Sequence, residues 1–245
     1  MSRVRIAPGA PPTNMKLPDI LNEIGAQADK NNIRAFVVGG FVRDLLLQLK
    51  DLDIDIVIEA DAVKFAGTLG KEWGVDLIIH KGFKTAAIKK DGFKIDLVTA
   101  RKEYYKRPGS LPEIKPATIK EDLFRRDFTI NAMAISLNKD NFGELVDFYN
   151  GMHDLKVKNI RVLHNKSFID DPTRIFRAIR FQERLGFKIE PYTQRLIKDA
   201  IILKVIEKLK PQRIKKEMDL ILEEPKRDKI ISSMHEFGIG RFVKI

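Results

Sequence analysis

The segment Asp51-Leu52-Asp53-Ile54-Asp55-Ile56-Val57-Ile58 leaves a chain few ways to fold. Carboxylates and aliphatic side chains alternate with a period of two, which only an extended strand with one face in a core can sort. Asp53 and Asp55 then project from one face while Ile54, Ile56 and Ile58 are buried on the other. Two readings fit the pair. One is an exposed strand edge carrying negative charge. The other is a set of ligands for a hard cation such as Mg2+, which prefers oxygen donors. Two such ions roughly 3.5–4 Å apart can activate an attacking hydroxyl and stabilise the leaving oxygen. The chain has no Cys, and its four His (80, 153, 164 and 235) are scattered singly, so any metal falls to carboxylates.

The flanking pattern predicts a mixed sheet with helices on it. Leu17, Ile20, Leu21 and Ile24 have helical spacing within residues 15–30, a strand follows at 34–38, and Gly39-Gly40 turns the chain into a helix from Phe41. Further strands are expected at 75–80, 86–89 and 94–99, with a helix at 62–73. Residues 101–120 are rich in Pro and charge and read as a long surface loop. After Gly151 the pattern becomes helical and basic, with helices expected at 171–185, 192–203 and 211–223. The expected organisation is therefore a leader or linker at 1–14, an α/β (α+β) part over 15–157 and an all-helical part over 158–245.

Forty-five Lys and Arg against 34 Asp and Glu give a formal net charge of +11, which suits a polyanionic partner: RNA, DNA or an anionic membrane surface. No apolar run approaches the roughly 18 residues of a spanning helix, and the N-terminus lacks the apolar core of a signal peptide. A cytoplasmic protein without a membrane partner is the expectation.

Three more constellations carry chemistry. In Val38-Gly39-Gly40-Phe41-Val42-Arg43-Asp44 the glycines follow a strand and open a helix, so this is either a tight turn or a phosphate cradle with Arg43 as a clamp. In Arg125-Arg126-Asp127-Phe128-Thr129-Ile130-Asn131-Ala132-Met133-Ala134 the charges and Asn131 need partners if buried, as an ion-paired turn or as a site for a triphosphate or ribose. In Asp170-Asp171-Pro172-Thr173-Arg174-Ile175-Phe176-Arg177-Ala178-Ile179-Arg180-Phe181, Asp171 suits a helix N-cap and the three Arg climb one slanted ridge. That ridge is either a solvated face or, with Asp171, an acceptor and donor for a nucleobase edge. Asp96, alone on an otherwise apolar strand, is a solvated carboxylate or a third metal ligand if its strand lies beside 53–58.

Taken together and in this order, GG-x-V-R-D, D-x-D, R-R-D-F-T-I-N-A-M-A and D-P-x-R-x-x-R-A-x-R-F resemble the class II tRNA nucleotidyltransferase and bacterial poly(A) polymerase family of the DNA polymerase beta superfamily. The resemblance runs from about Arg34 to Gly186 and more loosely to the end. It implies a nucleotidyltransferase head with a mixed sheet followed by an all-helical neck. It also implies a two-metal Mg2+ site on Asp53, Asp55 and Asp96, with Asp51 set aside by the family's spacing. By the same resemblance Gly39, Gly40 and Arg43 hold the triphosphate, Arg126 contacts the nucleotide and Asn131 holds its surroundings. Asp171 and Arg174 read the base, and Arg177 and Arg180 support the nucleotide. The segment Asp147–Gly151 with Asp154-Leu155 resembles the joint between head and neck.

The activity so implied is template-independent transfer of CMP or AMP from CTP or ATP to the 3′ end of tRNA, with release of pyrophosphate. A poly(A) polymerase acting on general RNA 3′ ends is the alternative, and a non-catalytic RNA- or nucleotide-binding module is a second one. The sequence departs from the family's pattern at Gln48, where Gly is common, and at Asp170, where Glu is more usual. The family normally continues into body and tail domains that grip tRNA, so a chain ending at Ile245 is expected to be a fragment or to hold RNA differently.

Overall fold

The structure, a computed structural model, describes residues 17–49, 53–80 and 85–244. The leader expected at 1–14 and Asp51 lie outside the described residues. The chain divides into two compact units. One takes the residues up to Lys102 with Ile114–Arg126 and Ile130–Met152, and the other takes Glu103–Glu113, Asp127–Thr129 and His153–Ile245. The expected boundary at 157 thus differs from the observed one between Met152 and His153, and two short upstream segments join the second unit.

The first unit runs α1 (Asp19–Lys30), β1 (Ala35–Val38), α2 (Gly40–Leu46), β2 (Asp53–Ile58), α3 (Ala62–Trp73), β3 (Leu77–His80), β4 (Thr85–Lys90) and β5 (Phe93–Thr99). It continues through β6 (Arg101–Tyr104), β7 (Glu113–Pro116), α4 (Ile119–Phe124), β8 (Ala134–Ser136), β9 (Leu145–Val146) and α5 (Gly151–Lys156), some of whose residues belong to the second unit. A seven-stranded sheet has the order β3-β4-β5-β2-β1-β8-β9. Its central pair β2–β5 is parallel and β1–β2 is antiparallel, so the sheet is mixed as expected. In β2 the aliphatics are buried and Asp53 and Asp55 exposed, as the period of two requires. α3 occupies the residues its pattern predicted. Asp61 Oδ1 accepts from the Val63 and Lys64 amides, both at 3.0 Å, and Gly74 ends the helix in the left-handed conformation at φ 64°.

The loop expected at 101–120 is a correction. Its arms form the two-stranded sheet β6–β7, and α4 begins at Ile119 behind a Thr118/Glu121 capping box. Pro116 is the last residue of β7, which in a two-stranded sheet is an edge strand, where Pro is tolerated.

The second unit runs β10 (Asn159–Ile160), α6 (Ser167–Asp170), α7 (Thr173–Leu185), β11 (Lys188–Ile189), α8 (Pro191–Ile202), α9 (Pro211–Leu222) and α10 (Arg227–Glu236). It is mainly helical among the described residues, with the short parallel pair β10–β11, the ends of β6 and β7 and a bridge between Phe128 and Val162 as its extended parts. Gly186, at φ 67°, stops α7 and lets the chain double back, so that Lys188 N–H donates to the Lys158 carbonyl at 2.9 Å. Ile175, Phe176, Ala178 and Ile179 of α7 are fully buried and hold it in the unit's core.

Candidate active site

Each unit carries part of the chemistry. In the first, register sets the carboxylates: Asp55 on β2 stands beside Asp96 on β5, and Asp53 stands beside Lys94. All four side chains share one face by the period of two. Lys94 Nζ lies 2.9 Å from Asp96 Oδ2 and 3.9 Å from Asp53 Oδ1. The donor chemistry suits a hard cation, since all three candidate ligands are carboxylates. Among the described residues, however, no three carboxylates or histidines converge as a metal cage would have them.

The Gly39-Gly40 turn lies against this face, because Val38 pairs with Asp55. Gly39 has φ 74° and ψ −129°, and a Cβ on it would meet Arg126 Nη1 at 2.7 Å and Asp55 Oδ2 at 3.7 Å. Glycine is therefore required twice over, by backbone conformation and by the guanidinium packed on its Cα. The expected phosphate cradle needs amendment. The Gly39 amide is already bonded to the Met133 carbonyl at 3.2 Å, and α2, of seven residues, has a weak dipole. Arg43 is buried at 3% exposure, with Nε and Nη2 donating to Asp44 at 2.8 and 2.7 Å and Nη1 donating to Asn131 Oδ1 at 2.7 Å. Its donors fasten the turn to the Asn131 segment rather than facing outward as a clamp.

Arg126, against Gly39, is one of three arginines that line the site. An open cavity of about 400 Å³ is lined by Asp55, Thr85, Arg101, Arg125 and Arg126 with apolar residues of β1, β2 and β5. That volume suits a small-molecule ligand. Asp122, wholly buried, aims both arginines: Arg125 Nε donates to Oδ1 at 3.0 Å and Arg126 Nη2 to Oδ2 at 3.1 Å. Burial alone would push the Asp122 carboxyl up, but Arg126, Arg125 and the Arg101 amide outweigh it and hold the carboxyl below its ordinary range. Among the described residues, Arg126 Nε is buried without a hydrogen-bond partner.

In the second unit the Arg ridge of α7 is not a solvated face. Arg174 and Arg180 are buried, and each ridge residue has a polar partner. Arg174 Nη1 donates to Ser167 Oγ at 2.7 Å. Arg177 donates through Nε and Nη2 to Asp127 Oδ2 at 2.8 and 2.6 Å, a pairing that strengthens its charged form. Arg180 lies 3.4 Å from Glu224 and 3.9 Å from Glu217, and burial weakens its hold on the proton. Glu217 is pushed up by burial, against the opposing charges of Arg177 and Arg180. These contacts make Arg180 part of the packing between α7, α9 and the turn after it.

Asp171 precedes α7, and its Oδ1 accepts from the Thr173 amide at 3.0 Å and the Thr173 hydroxyl at 2.6 Å. The N-cap expected at Asp171 lies instead at Pro172, which makes no side-chain cap bond, and Asp171 acts on the helix start through Thr173. Oδ1 also takes Arg213 Nη2 at 2.8 Å, while Arg213 Nη1 reaches the Gly109 carbonyl at 3.1 Å. Among the described residues these bonds all fall on Oδ1, and Oδ2 is the other acceptor edge. Tyr105, hydrogen-bonded to Glu103 at 2.7 Å, is held protonated well above its usual range by burial and by neighbouring carboxylates.

Sequence reasoning did not single out Asp44, Asp122, Asp127 or Arg213 as partners of the site residues. Arg213 lies on a helix whose local pattern reads only as amphipathic, so no signal marked it. Lys94 was readable, because the period of two puts it on the face of Asp96.

The chain's likeness to known proteins agrees with this geometry. A family profile described as "Poly A polymerase head domain" matches residues 35–161, and one described as "Probable RNA and SrmB-binding site of polymerase A" matches residues 186–244. The chain is 45% identical over 225 residues to the A-adding tRNA nucleotidyltransferase of Geobacter sulfurreducens, covering 91% of this chain and 26% of that protein. It is 44% identical over 207 residues to the A-adding tRNA nucleotidyltransferase of Aquifex aeolicus, covering 84% of this chain and 25% of that one. A solved structure of a CCA-adding enzyme, apo form II, superposes with a TM-score of 0.88 at 48% identity, covering 93% of this chain and 55% of that one. The chain thus spans about a quarter of the length of these curated relatives. Since the head profile covers more than half of the chain, and the fold follows that of the solved relative, the chain belongs to the Poly A polymerase head-domain family, that of the class II tRNA nucleotidyltransferases.

Proposed function

We propose that this chain transfers AMP or CMP from ATP or CTP to the 3′ end of tRNA and releases pyrophosphate. The observation that carries the reading is the cavity where Asp55 on its carboxylate-bearing strand faces Arg101, Arg125 and Arg126. Anionic ligands for a cation and guanidinium donors for phosphate oxygens meet there, as phosphoryl transfer requires. Asp53, Asp55 and Asp96 would hold Mg2+, which when bound supplies charge neutralisation of the phosphates and activation of the 3′-hydroxyl. Arg126 binds phosphate oxygens, and Gly39 gives its guanidinium room. Arg43 and Asn131 fix the turn that carries Gly39 and Gly40. Arg177 and Arg180, paired with carboxylates, hold α7 so that Asp171 and Arg174 present a fixed edge.

Base choice follows from that edge. Cytosine and adenine both show an exocyclic amino donor beside an unprotonated ring nitrogen, so a carboxylate acceptor with a guanidinium donor serves either base. Uracil and guanine turn a carbonyl toward the carboxylate, leaving desolvated groups unpaired at a cost on the order of 1–3 kcal/mol each. Asp171 Oδ2 is the acceptor in this account.

The test is incubation of the chain with labelled ATP or CTP, Mg2+ and tRNAs ending before or after CC. Nucleotide incorporation that Asp53→Ala and Asp55→Ala abolish, with the fold retained, supports the reading. Long A tails on unrelated RNA would favour the poly(A) polymerase alternative. Nucleotide binding without incorporation on any RNA would reduce the chain to a binding module.

A further inference from the structure

The exposed face of the central strands carries a cation of its own. Lys94 pairs in register with Asp53 and stands two residues before Asp96, so its side chain rises among the three carboxylates. Its ammonium is 2.9 Å from Asp96 Oδ2 and 3.9 Å from Asp53 Oδ1. Among the described residues, the carboxylates do not converge on a common point, and Lys94 stands between two of them.

We infer that Lys94 is an internal competitor of the divalent cation, contending for the same Asp96 and Asp53 oxygens and thereby setting how weakly the head alone binds metal. This rests on the proposed role of Asp53, Asp55 and Asp96 as metal ligands. The residue type fits the task. An ammonium on a flexible stem is a compact point charge that can withdraw at little cost, and at 49% side-chain exposure Lys94 has water to withdraw into. An arginine fork bound in a bidentate way would be harder to displace. The consequence is a site that binds a cation poorly by itself and well only when triphosphate oxygens join the carboxylates. Metal and nucleotide then arrive together, and Lys94 becomes free to meet the phosphate charge.

Mn2+ serves as the probe, titrated into the chain without nucleotide and followed by the loss of the free-ion paramagnetic resonance signal. Lys94→Gln should bind Mn2+ about three- to tenfold more tightly than the unaltered chain, the range expected for removing one half-screened positive charge. Lys94→Arg, which keeps the charge in a form harder to displace, should bind Mn2+ no more tightly than the unaltered chain, and Asp55→Asn should weaken binding. Unchanged or weaker Mn2+ binding by Lys94→Gln, with Asp55→Asn still losing it, overturns the role of Lys94 and leaves the carboxylate reading standing. Mn2+ binding indifferent to Asp53→Asn, Asp55→Asn and Asp96→Asn overturns both. Melting curves of the same variants separate a packing role, which would move stability and not affinity.

Discussion

Replacing Gly39 by alanine tests how the turn and Arg126 depend on each other. At φ 74° and ψ −129° a residue with a Cβ is strained on the order of 1–3 kcal/mol. The new Cβ would also stand 2.7 Å from Arg126 Nη1, where ordinary contact begins at 3.4 Å, so the guanidinium must retreat by about 0.7 Å. It cannot retreat freely, since Nη2 is bonded to the buried Asp122 carboxylate at 3.1 Å. The expected loss is about 2–3 kcal/mol, which at roughly 2–4 °C per kcal/mol for a chain of this size lowers the melting temperature by about 5–10 °C. A double-mutant cycle with Arg126→Ala separates the two causes. With the guanidinium gone, the contact part should vanish and the backbone part remain, giving a coupling of about 1 kcal/mol. Thermal and urea melts of the two single variants and the double variant measure it. If Gly39→Ala costs the same with and without Arg126, the close approach is not what demands glycine; if it costs nothing, neither argument holds.

Gln48 stands at φ 58°, left-handed backbone that favours glycine, so Gln48→Gly should stabilise by about 0.5–1 kcal/mol; an unmoved urea midpoint would contradict the strain argument. Asp122→Asn should cost about 3 kcal/mol near neutral pH by leaving Arg125 and Arg126 without their shared counter-charge. Because the folded Asp122 titrates below its ordinary 3.8, its contribution is fully present above that value and is lost as pH falls through the folded pKa. The asparagine variant should therefore lose less stability than the parent between about pH 5 and 2, as acid melts would show. Arg213→Ala frees the Asp171 carboxylate from its tether and should relax the preference for ATP and CTP over UTP and GTP by about tenfold with partial rescue by lysine; selectivity kept in a destabilised variant would leave Arg213 a packing residue.

Much of the head was legible because its elements are specified by local periodicity. The alternation of 53–58 defined β2, and α3 lies at the 62–73 expected of it. The shared face of Asp53, Asp55, Lys94 and Asp96 follows from a period of two, once β5 lies parallel to β2. What the sequence could not supply is the partner of each charge. The same Arg174, Arg177 and Arg180 ridge describes a solvated helix face or a buried one. Burial was decided by Ser167, Asp127, Glu217 and Glu224, which reach the ridge from other elements. Arg43 read as a phosphate clamp until Asn131, 88 residues away in the chain, took its third donor. Asp171 read as a cap, and its Oδ1 does accept from Thr173 two residues on, but only the fold brings Arg213, 42 residues away in the chain, onto the same oxygen. Helix and strand periods are written in neighbouring residues, whereas the fate of a buried charge depends on which distant group the fold brings within hydrogen-bond reach. Desolvation makes that pairing obligatory without naming the partner.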